Sequence, residues 1–197
     1  MDGILIVNKP KNFTSQDVVS KVKKILNEKK AGHTGTLDPL ATGVLPVLLG
    51  KSTKLSKYLI EHDKVYVAKI KLGQKTNTGD AEGIVIEEKN VPEISVEKAK
   101  KILDSFLGKG QQIPPMYSAI KINGKKLYEY ARNGENVEVP PRNIEIYSIN
   151  LLKIKDTEME FEVSCSKGTY IRTLCEDIAK ALGTVRIHVR TKKNCCR

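Results

Sequence analysis

The first sixty residues alternate between apolar runs and polar breaks that predict a strand, a helix and an irregular segment. Residues 3–7 form a short apolar run, typical of a strand, that ends at an Asn-Lys-Pro turn. Apolar side chains then recur at helical spacing over residues 18–26, after a cap at Thr14 or Ser15. Residues 31–50 contain four glycines and two prolines, so they predict a structured loop followed by a strand.

The rest of the chain predicts several more strands and helices. Strands are predicted at residues 64–72, 84–88, 144–155 and 158–165, and helices near 55–59 and over 95–107 and 171–182. Further signals are a polar turn at residues 73–83, a helix stop at Gly108 and a type I′ hairpin turn at Asn123-Gly124. Antiparallel hairpins and separate helices together predict the α+β class.

Composition predicts a soluble globular protein. The 197 residues are 40% hydrophobic and 29% charged, and no apolar run approaches the roughly 18 residues that span a membrane. The first residues are too polar for a signal peptide. We therefore expect a cytoplasmic protein with no membrane partner.

The charge balance predicts a polyanionic partner. Lys and Arg number 34 against 23 Asp and Glu, for a net charge of +11, which favours nucleic acid because neutralised phosphates release counterions. A Lys-rich solvated surface is the alternative. The four cysteines form no C-x-x-C pair, and the three histidines are scattered, so we expect reduced thiols and no metal site.

Asp38 is the first candidate for chemistry. Apart from His33, it is the only ionisable residue from position 32 to position 50, so we expect a half-buried carboxylate that needs a partner. An Asx-turn before Pro39 is the alternative. Arg172, which follows a glycine turn, is the candidate partner because an arginine keeps a nearby carboxylate ionised. Position alone favours the alternative, an exposed helical arginine.

Phosphate-cradling NTPase chemistry is excluded. The segment Gly50-Lys51-Ser52 resembles the end of a P-loop, but that motif also requires a glycine five residues before Gly50. Leu45 stands there instead.

Four motifs in order carry a family resemblance. Residues 32–45 read Gly-His-Thr-Gly-Thr-Leu-Asp-Pro-Leu-Ala-Thr-Gly-Val-Leu, with further motifs at residues 7–15, 112–121 and 165–172. They resemble the TruB family, the tRNA pseudouridine-55 synthases, and the resemblance covers residues 3–183. It implies the pseudouridine synthase fold, a long mixed and mostly antiparallel sheet flanked by helices and loops.

The resemblance also implies a reaction. A uridine in the T-loop of tRNA is flipped out, its glycosidic bond is cleaved and C5 is attached to the ribose, without a cofactor. Asp38 is the implied catalytic carboxylate. Attack on uracil C6, attack on ribose C1′ and proton abstraction to a glycal all remain open, since each needs an ionised, immobilised carboxylate.

Roles for further residues follow from the same resemblance. Arg172 pairs with Asp38, Tyr66 stacks on the flipped base and assists proton transfer at C5, Tyr170 contacts the substrate, His33 fills the space that the flipped nucleotide leaves, and Lys9 supports the pocket. A core aromatic is the alternative for Tyr66, because alternation puts it on the face of Ala68 and Ile70.

The chain departs from the family pattern at its end. We expect a catalytic domain at residues 1–183, an atypical tail at 184–197, and no small C-terminal RNA-binding domain. The leucine that lines the family's uracil pocket has no clear equivalent, so a catalytically weakened RNA-binding or tRNA-folding module is the alternative function. A relative that modifies another RNA is a third reading.

Asn12 replaces a family glycine and tolerates a positive φ. By resemblance we expect a monomer.

Overall fold

The computed structural model describes residues 1–81 and 83–196, with the side chains of residues 188, 189, 195 and 196 left out of the description. Helices and mostly antiparallel strands occur together, which confirms the α+β class. Two compact units divide the chain. The first unit comprises Met1–Val67 and Arg190–Arg197, and the second comprises Ala68–Val189. None of the described helices is long and apolar enough to cross a bilayer.

Twelve strands and five α-helices make up the described secondary structure. The strands are β1 (Gly3–Lys9), β2 (Ala31–His33), β3 (Thr42–Leu49), β4 (Lys64–Leu72), β5 (Gln74–Thr76), β6 (Val85–Glu88), β7 (Gly108–Gln112), β8 (Lys121–Ile122), β9 (Lys125–Lys126), β10 (Arg142–Lys155), β11 (Glu158–Cys165) and β12 (Arg186–Cys196). The helices are α1 (Ser15–Ile25), α2 (Ser56–Leu59), α3 (Val96–Asp104), α4 (Leu127–Arg132) and α5 (Ile171–Ala181), and a 3-10 helix covers Gly50–Leu55.

Strand β3 pairs with three other strands in the first unit. It pairs antiparallel with β1 and with β2, and parallel with β12 in the register Lys192 to Thr42. Helix α1 begins after Thr14, whose hydroxyl accepts a hydrogen bond from the Asp17 amide at 3.0 Å. Its apolar face packs on β3, and the buried cluster consists of Val18, Val19, Val22, Leu45, Val47 and Leu49.

Strands β4, β11, β10 and β7 lie side by side in that order in the second unit. Strands β10 and β11 form an antiparallel hairpin whose turn holds Asp156 at φ 51°. Strands β8 and β9 form a second hairpin, and the positive φ values of Asn123 and Gly124 confirm the predicted type I′ turn. Helix α3 contacts β10 and α5 through a face that buries Ala99 and Leu103.

Three predicted boundaries were wrong. The predicted polar turn at residues 73–83 contains strand β5, which pairs with β6. Helix α3 ends at Asp104, before the predicted stop at Gly108, and Gly108 instead begins β7. The loop predicted from residue 31 opens with strand β2, which pairs with β3. These strands are short or polar, so backbone pairing with a neighbour determines them rather than a pattern of apolar side chains.

The segment predicted as an atypical tail contains strand β12. Residues 186–196 are extended, and Thr191 and Lys193 within it are buried at 6% and 2% exposure. The predicted division of the chain after residue 183 stays a prediction. Structural statements about Arg197, and about the side chains of Cys195 and Cys196, lie outside the described residues.

Candidate active site

Asp38 lies between β2 and β3 on a loop that is held on both sides of the carboxylate. Its side chain is half-buried, as predicted. On the N-terminal side, the buried Ser15 hydroxyl accepts a hydrogen bond from the Leu37 amide at 2.9 Å and donates one to the Leu37 carbonyl at 3.4 Å. Thr14 is therefore the helix cap, and the neighbouring serine fixes the loop instead.

Lys9 holds the loop on the C-terminal side of Asp38. Its buried ammonium donates to the carbonyls of Pro10 at 2.9 Å, Phe13 at 2.5 Å and Pro39 at 3.1 Å. The Asn12 amide also donates to the Pro39 carbonyl, at 2.9 Å, and Asn12 has the positive φ that we predicted it tolerates, 66°. Both residues next to Asp38 are thus fixed through their backbone atoms.

The charge of Asp38 also acts on Lys9. Burial lowers the pKa of the Lys9 ammonium, and the carboxylates of Asp38 and Asp17 act in the opposite direction. The three carbonyls and the two carboxylates compensate a cation that has lost most of its contact with water. Lys9 supports the backbone of the loop in this arrangement, and its predicted role in supporting a substrate pocket stays a prediction.

We expect Lys9→Met to destabilise the protein by about 2–4 kcal/mol. The thioether cannot donate, so the carbonyls of Pro10 and Phe13 lose a buried partner, at a cost of about 1–3 kcal/mol for each unsatisfied group. Urea denaturation followed by circular dichroism measures the change. Lys11→Met, at an exposed position two residues away, is the control. Equal losses in the two variants would contradict the role of Lys9.

His33 enters the same loop from β2. It pairs with Val47 in the register of β2 and β3, and its Nδ1 atom is buried with no hydrogen-bond partner in the described part of the chain. Burial lowers the pKa of His33, and a hydrogen bond with the backbone of Gly35 opposes that effect without cancelling it. The imidazole is therefore neutral at pH 7.

Because the folded-state pKa of His33 lies below its unfolded value, protonation favours the unfolded chain. We expect the stability contributed by neutral His33 to be complete above the ordinary histidine range. This contribution to stability is lost as the pH falls from the ordinary histidine pKa range through the lower folded-state pKa of His33. Thermal unfolding between pH 8 and pH 5 should show a smaller loss in His33→Gln than in the parent. The control His62→Gln, at an exposed residue, should follow the parent, and identical curves for all three would contradict the assignment.

Tyr66 lies on β4 and is half-buried. Further along the same face, Ala68 and Ile70 are fully buried at 0% exposure, and Val65 on the other face is also buried at 7%. Tyr66 thus keeps a solvent exposure that the core residues beyond it lack. Its predicted role in stacking stays a prediction.

Tyr170 and Arg172 begin helix α5 in the second unit. The buried Gln112 side chain accepts a hydrogen bond from the Tyr170 amide at 2.7 Å and donates to the Tyr170 carbonyl at 3.1 Å. Arg172 donates to the Tyr117 carbonyl at 2.7 Å through Nη2. The motif at residues 112–121 therefore holds the motif at residues 165–172.

The predicted site residues fall into both units. Lys9, His33, Asp38 and Tyr66 belong to the first, and Tyr170 and Arg172 belong to the second. The pairing of Asp38 with Arg172 stays a prediction. Ser15 and Gln112 lie within predicted motifs, but their contacts depend on residues 22 and 58 positions away, which local sequence does not report. No cluster of three metal-ligating side chains occurs among the described residues.

Residues 23–171 match the family described as TruB family pseudouridylate synthase, N-terminal domain. The matched range includes the Asp38 loop, Tyr66, Gln112 and Tyr170.

Two relatives named tRNA pseudouridine synthase B are similar over nearly all of this chain. The protein of Psychrobacter cryohalolentis is 53% identical over 190 residues, which cover 94% of this chain and 53% of that protein. The protein of Francisella philomiragia is 50% identical over 184 residues, which cover 93% of this chain and 61% of that protein. The chain thus spans between half and two thirds of the length of these curated relatives.

Two solved structures have a similar architecture. A chain in the crystal structure of a Cbf5-Nop10-Gar1 complex matches with a TM-score of 0.77 and 31% identity, over 98% of this chain and 48% of that chain. A chain in the structure of an H/ACA RNP bound to a substrate RNA containing 2′-deoxyuridine matches with a TM-score of 0.73 and 29% identity, over 98% and 47%.

Proposed function

Since this chain belongs to the TruB family of pseudouridylate synthases, we propose that it isomerises a uridine in the T-loop of tRNA to pseudouridine, with Asp38 as the catalytic carboxylate. The names of its relatives support tRNA as the substrate. The proposal places the chain among the isomerases, and the family resemblance implies a reaction without a cofactor.

The restraint of the Asp38 loop is the observation that carries this proposal. Ser15 holds the backbone of Leu37, and Lys9 holds the carbonyl of Pro39. The Asp38 carbonyl accepts a hydrogen bond from the Ala41 amide at 3.0 Å, which closes a turn immediately after the carboxylate. All of these bonds use backbone atoms of the loop, so they orient the carboxylate without consuming its oxygens. Such pre-organisation is what a nucleophile or base requires.

The proposed reaction begins with a flipped uridine, because the reacting atoms are inaccessible in a stacked loop. The ionised carboxylate of Asp38 then attacks uracil C6, attacks ribose C1′ or removes a ribose proton to give a glycal. Each route cleaves the bond between C1′ and N1. The uracil turns, C5 bonds to C1′ and any bond to Asp38 is broken. The C5 proton leaves and N1 gains a proton, so the product has the composition of the substrate.

Four further residues complete the proposed site. Arg172 keeps the Asp38 carboxylate ionised, Tyr66 stacks on the flipped base and assists loss of the C5 proton, Tyr170 contacts the substrate and His33 occupies the space that the nucleotide leaves. The neutral imidazole of His33 suits this last role, since a flat uncharged ring can stack between bases. The half-buried ring of Tyr66 is consistent with a face open to a base.

The proposed partner is the T-arm stem-loop of tRNA. The excess of Lys and Arg supports contacts to its phosphates. We further propose that the chain acts as a monomer in the cytoplasm.

Release of tritium from C5-labelled uridine in a T-arm stem-loop tests this function, because the C5 hydrogen leaves only when pseudouridine forms. We expect the amount of tritium released to reach a plateau at one equivalent per target uridine, and adding more enzyme should not raise that plateau. Mapping of the modified position in the product identifies the T-loop uridine. Absence of release from a chain that binds the stem-loop would contradict the enzyme.

A catalytically weakened RNA-binding or tRNA-folding module is the second candidate. The feature that favours it is Arg186 on β12. Its buried guanidinium donates to the Arg172 carbonyl, and its Nε atom has no hydrogen-bond partner among the described residues. A module of this kind binds the stem-loop and accelerates refolding of an unfolded tRNA without releasing tritium. Measuring refolding and release on one preparation therefore separates the two candidates.

A further inference from the structure

Arg186, at the start of β12, is a buried cation whose hydrogen bonds are incomplete. Only 4% of the residue is exposed. Its Nη1 atom donates to the Gly79 carbonyl and its Nη2 atom to the Arg172 carbonyl, so two of its nitrogens contact uncharged acceptors. The Nε atom is buried and has no hydrogen-bond partner among the described residues.

Among the described residues, no carboxylate forms an ion pair with this guanidinium. Burial lowers the pKa of Arg186, and the charge of Arg172 acts in the same direction, whereas the carboxylates of Glu176 and Asp80 oppose it. Backbone carbonyls satisfy donors but carry only partial charge, so a bound anion would stabilise this side chain strongly.

A cavity of about 370 Å³ lies beside Arg186 within the second unit. Its lining carries four cationic side chains and two carboxylates: Lys75, Lys89, Lys180 and Arg186 against Glu87 and Glu176. Glu176 already forms ion pairs with Lys75 at 3.3 Å and with Lys180 at 3.2 Å. Among the described lining residues, cationic side chains therefore outnumber carboxylates by two, and they include the buried Arg186 and the exposed Lys89 and Lys180.

We propose that this cavity binds a phosphate group, with Arg186 at its inner end and Lys89 at its edge. The surplus of positive charge among the described lining residues matches a phosphate, and the guanidinium of Arg186, which lines the cavity, is a strong donor to phosphate oxygens. The volume is sufficient for the group and its first shell of water.

The phosphate has two sources. A phosphodiester of bound RNA is the occupant that the net charge of +11 favours, and that choice rests on the proposed function. Free inorganic phosphate is the other source. Either source makes the same contacts, so the site and the origin of its ligand can be tested separately.

Isothermal titration calorimetry of the full chain with inorganic phosphate tests the site. A chloride salt keeps the ionic strength constant during the titration. We expect saturable binding that weakens about two- to fivefold in Lys89→Gln, because an exposed cation contributes a modest share. Arg186→Lys keeps the charge but loses the planar donors, and we expect at least tenfold weaker binding. Lys100→Gln, on the exposed face of α3 and outside the cavity lining, should bind like the parent.

Each outcome bears on the proposal. Equal phosphate affinity in the parent, Lys89→Gln and Lys100→Gln would overturn it, as would binding that does not saturate. Should Arg186→Lys fail to fold, the two lysine variants still decide, since both positions are exposed. Displacement of phosphate by the T-arm stem-loop supports RNA as the source, and phosphate retained at saturating stem-loop supports the free anion. Titration of Asp38→Asn without RNA keeps this test independent of the isomerase activity.

Discussion

Asp38→Asn is expected to reduce tritium release from the T-arm stem-loop by about 10⁴-fold or more, with stem-loop affinity within about threefold of the parent. An amide neither attacks carbon nor accepts a proton at neutral pH, so all three routes are lost. Affinity is retained because Ser15 and Lys9 hold the backbone of the loop rather than the side chain that changes. The loop should therefore keep its conformation.

Asp17→Asn is the matched control for this variant. Asp17 is an exposed carboxylate at the first turn of α1, and it acts on Lys9 with the same sign as Asp38. The substitution removes one negative charge near Lys9 without touching the loop, and we expect turnover within about threefold of the parent, in the range of ordinary surface changes. Comparable losses in Asp17→Asn and Asp38→Asn would mean that charge near Lys9, and not the reacting carboxylate, explains the effect.

Gly43→Ala is expected to lower the free energy of unfolding by about 4 kcal/mol or to prevent folding. Gly43 pairs with Lys193 where β3 meets β12 and has a φ of 107°, a conformation that other residues adopt only under strain. A Cβ atom there would lie 2.1 Å from the Lys193 carbonyl oxygen and 2.9 Å from the Lys193 nitrogen. Both contacts are with backbone atoms of a paired strand, so a side-chain rotation cannot relieve them.

Chemical denaturation measures this change, and Gly32→Ala is its control. Gly32 lies on β2 beside the same strand, but a Cβ at that position meets nothing within 4 Å. We expect Gly32→Ala to change the free energy of unfolding by less than about 1 kcal/mol. A stable Gly43→Ala with parent-like cooperativity would show that β12 does not approach β3 as closely as the structure has it.

Strands with apolar alternation were predictable from the sequence, and polar strands were not. The strands at residues 64–72 and 158–165 are confirmed at both ends, because side chains on one face of each enter the core. Strand β5 reads Gln-Lys-Thr, and β7 reads Gly-Lys-Gly-Gln-Gln. Neither has a face that could signal burial, so the sequence indicates a turn at the first and gives no strand signal at the second.

The family and the half-buried state of Asp38 were also predictable. The TruB resemblance is confirmed by the family match, and the pseudouridine synthase fold by the likeness to the chain of the Cbf5-Nop10-Gar1 complex. The bonds that hold the Asp38 loop were not predictable, since Thr14 and Ser15 are equivalent as caps in sequence. Only the proximity of Leu37 distinguishes them.

The parallel pairing of β12 with β3 has a consequence for the order in which the chain folds. Its partners, Thr42 and Lys192, lie about 150 residues apart. During synthesis, β1, α1, β2 and β3 can associate early because their contacts are close in sequence. The edge of β3 that receives β12 stays open until residues 190–196 leave the ribosome, and closing so long a segment is slow. Strand β3, which follows the Asp38 loop, is therefore among the first strands synthesised and among the last to complete its pairing.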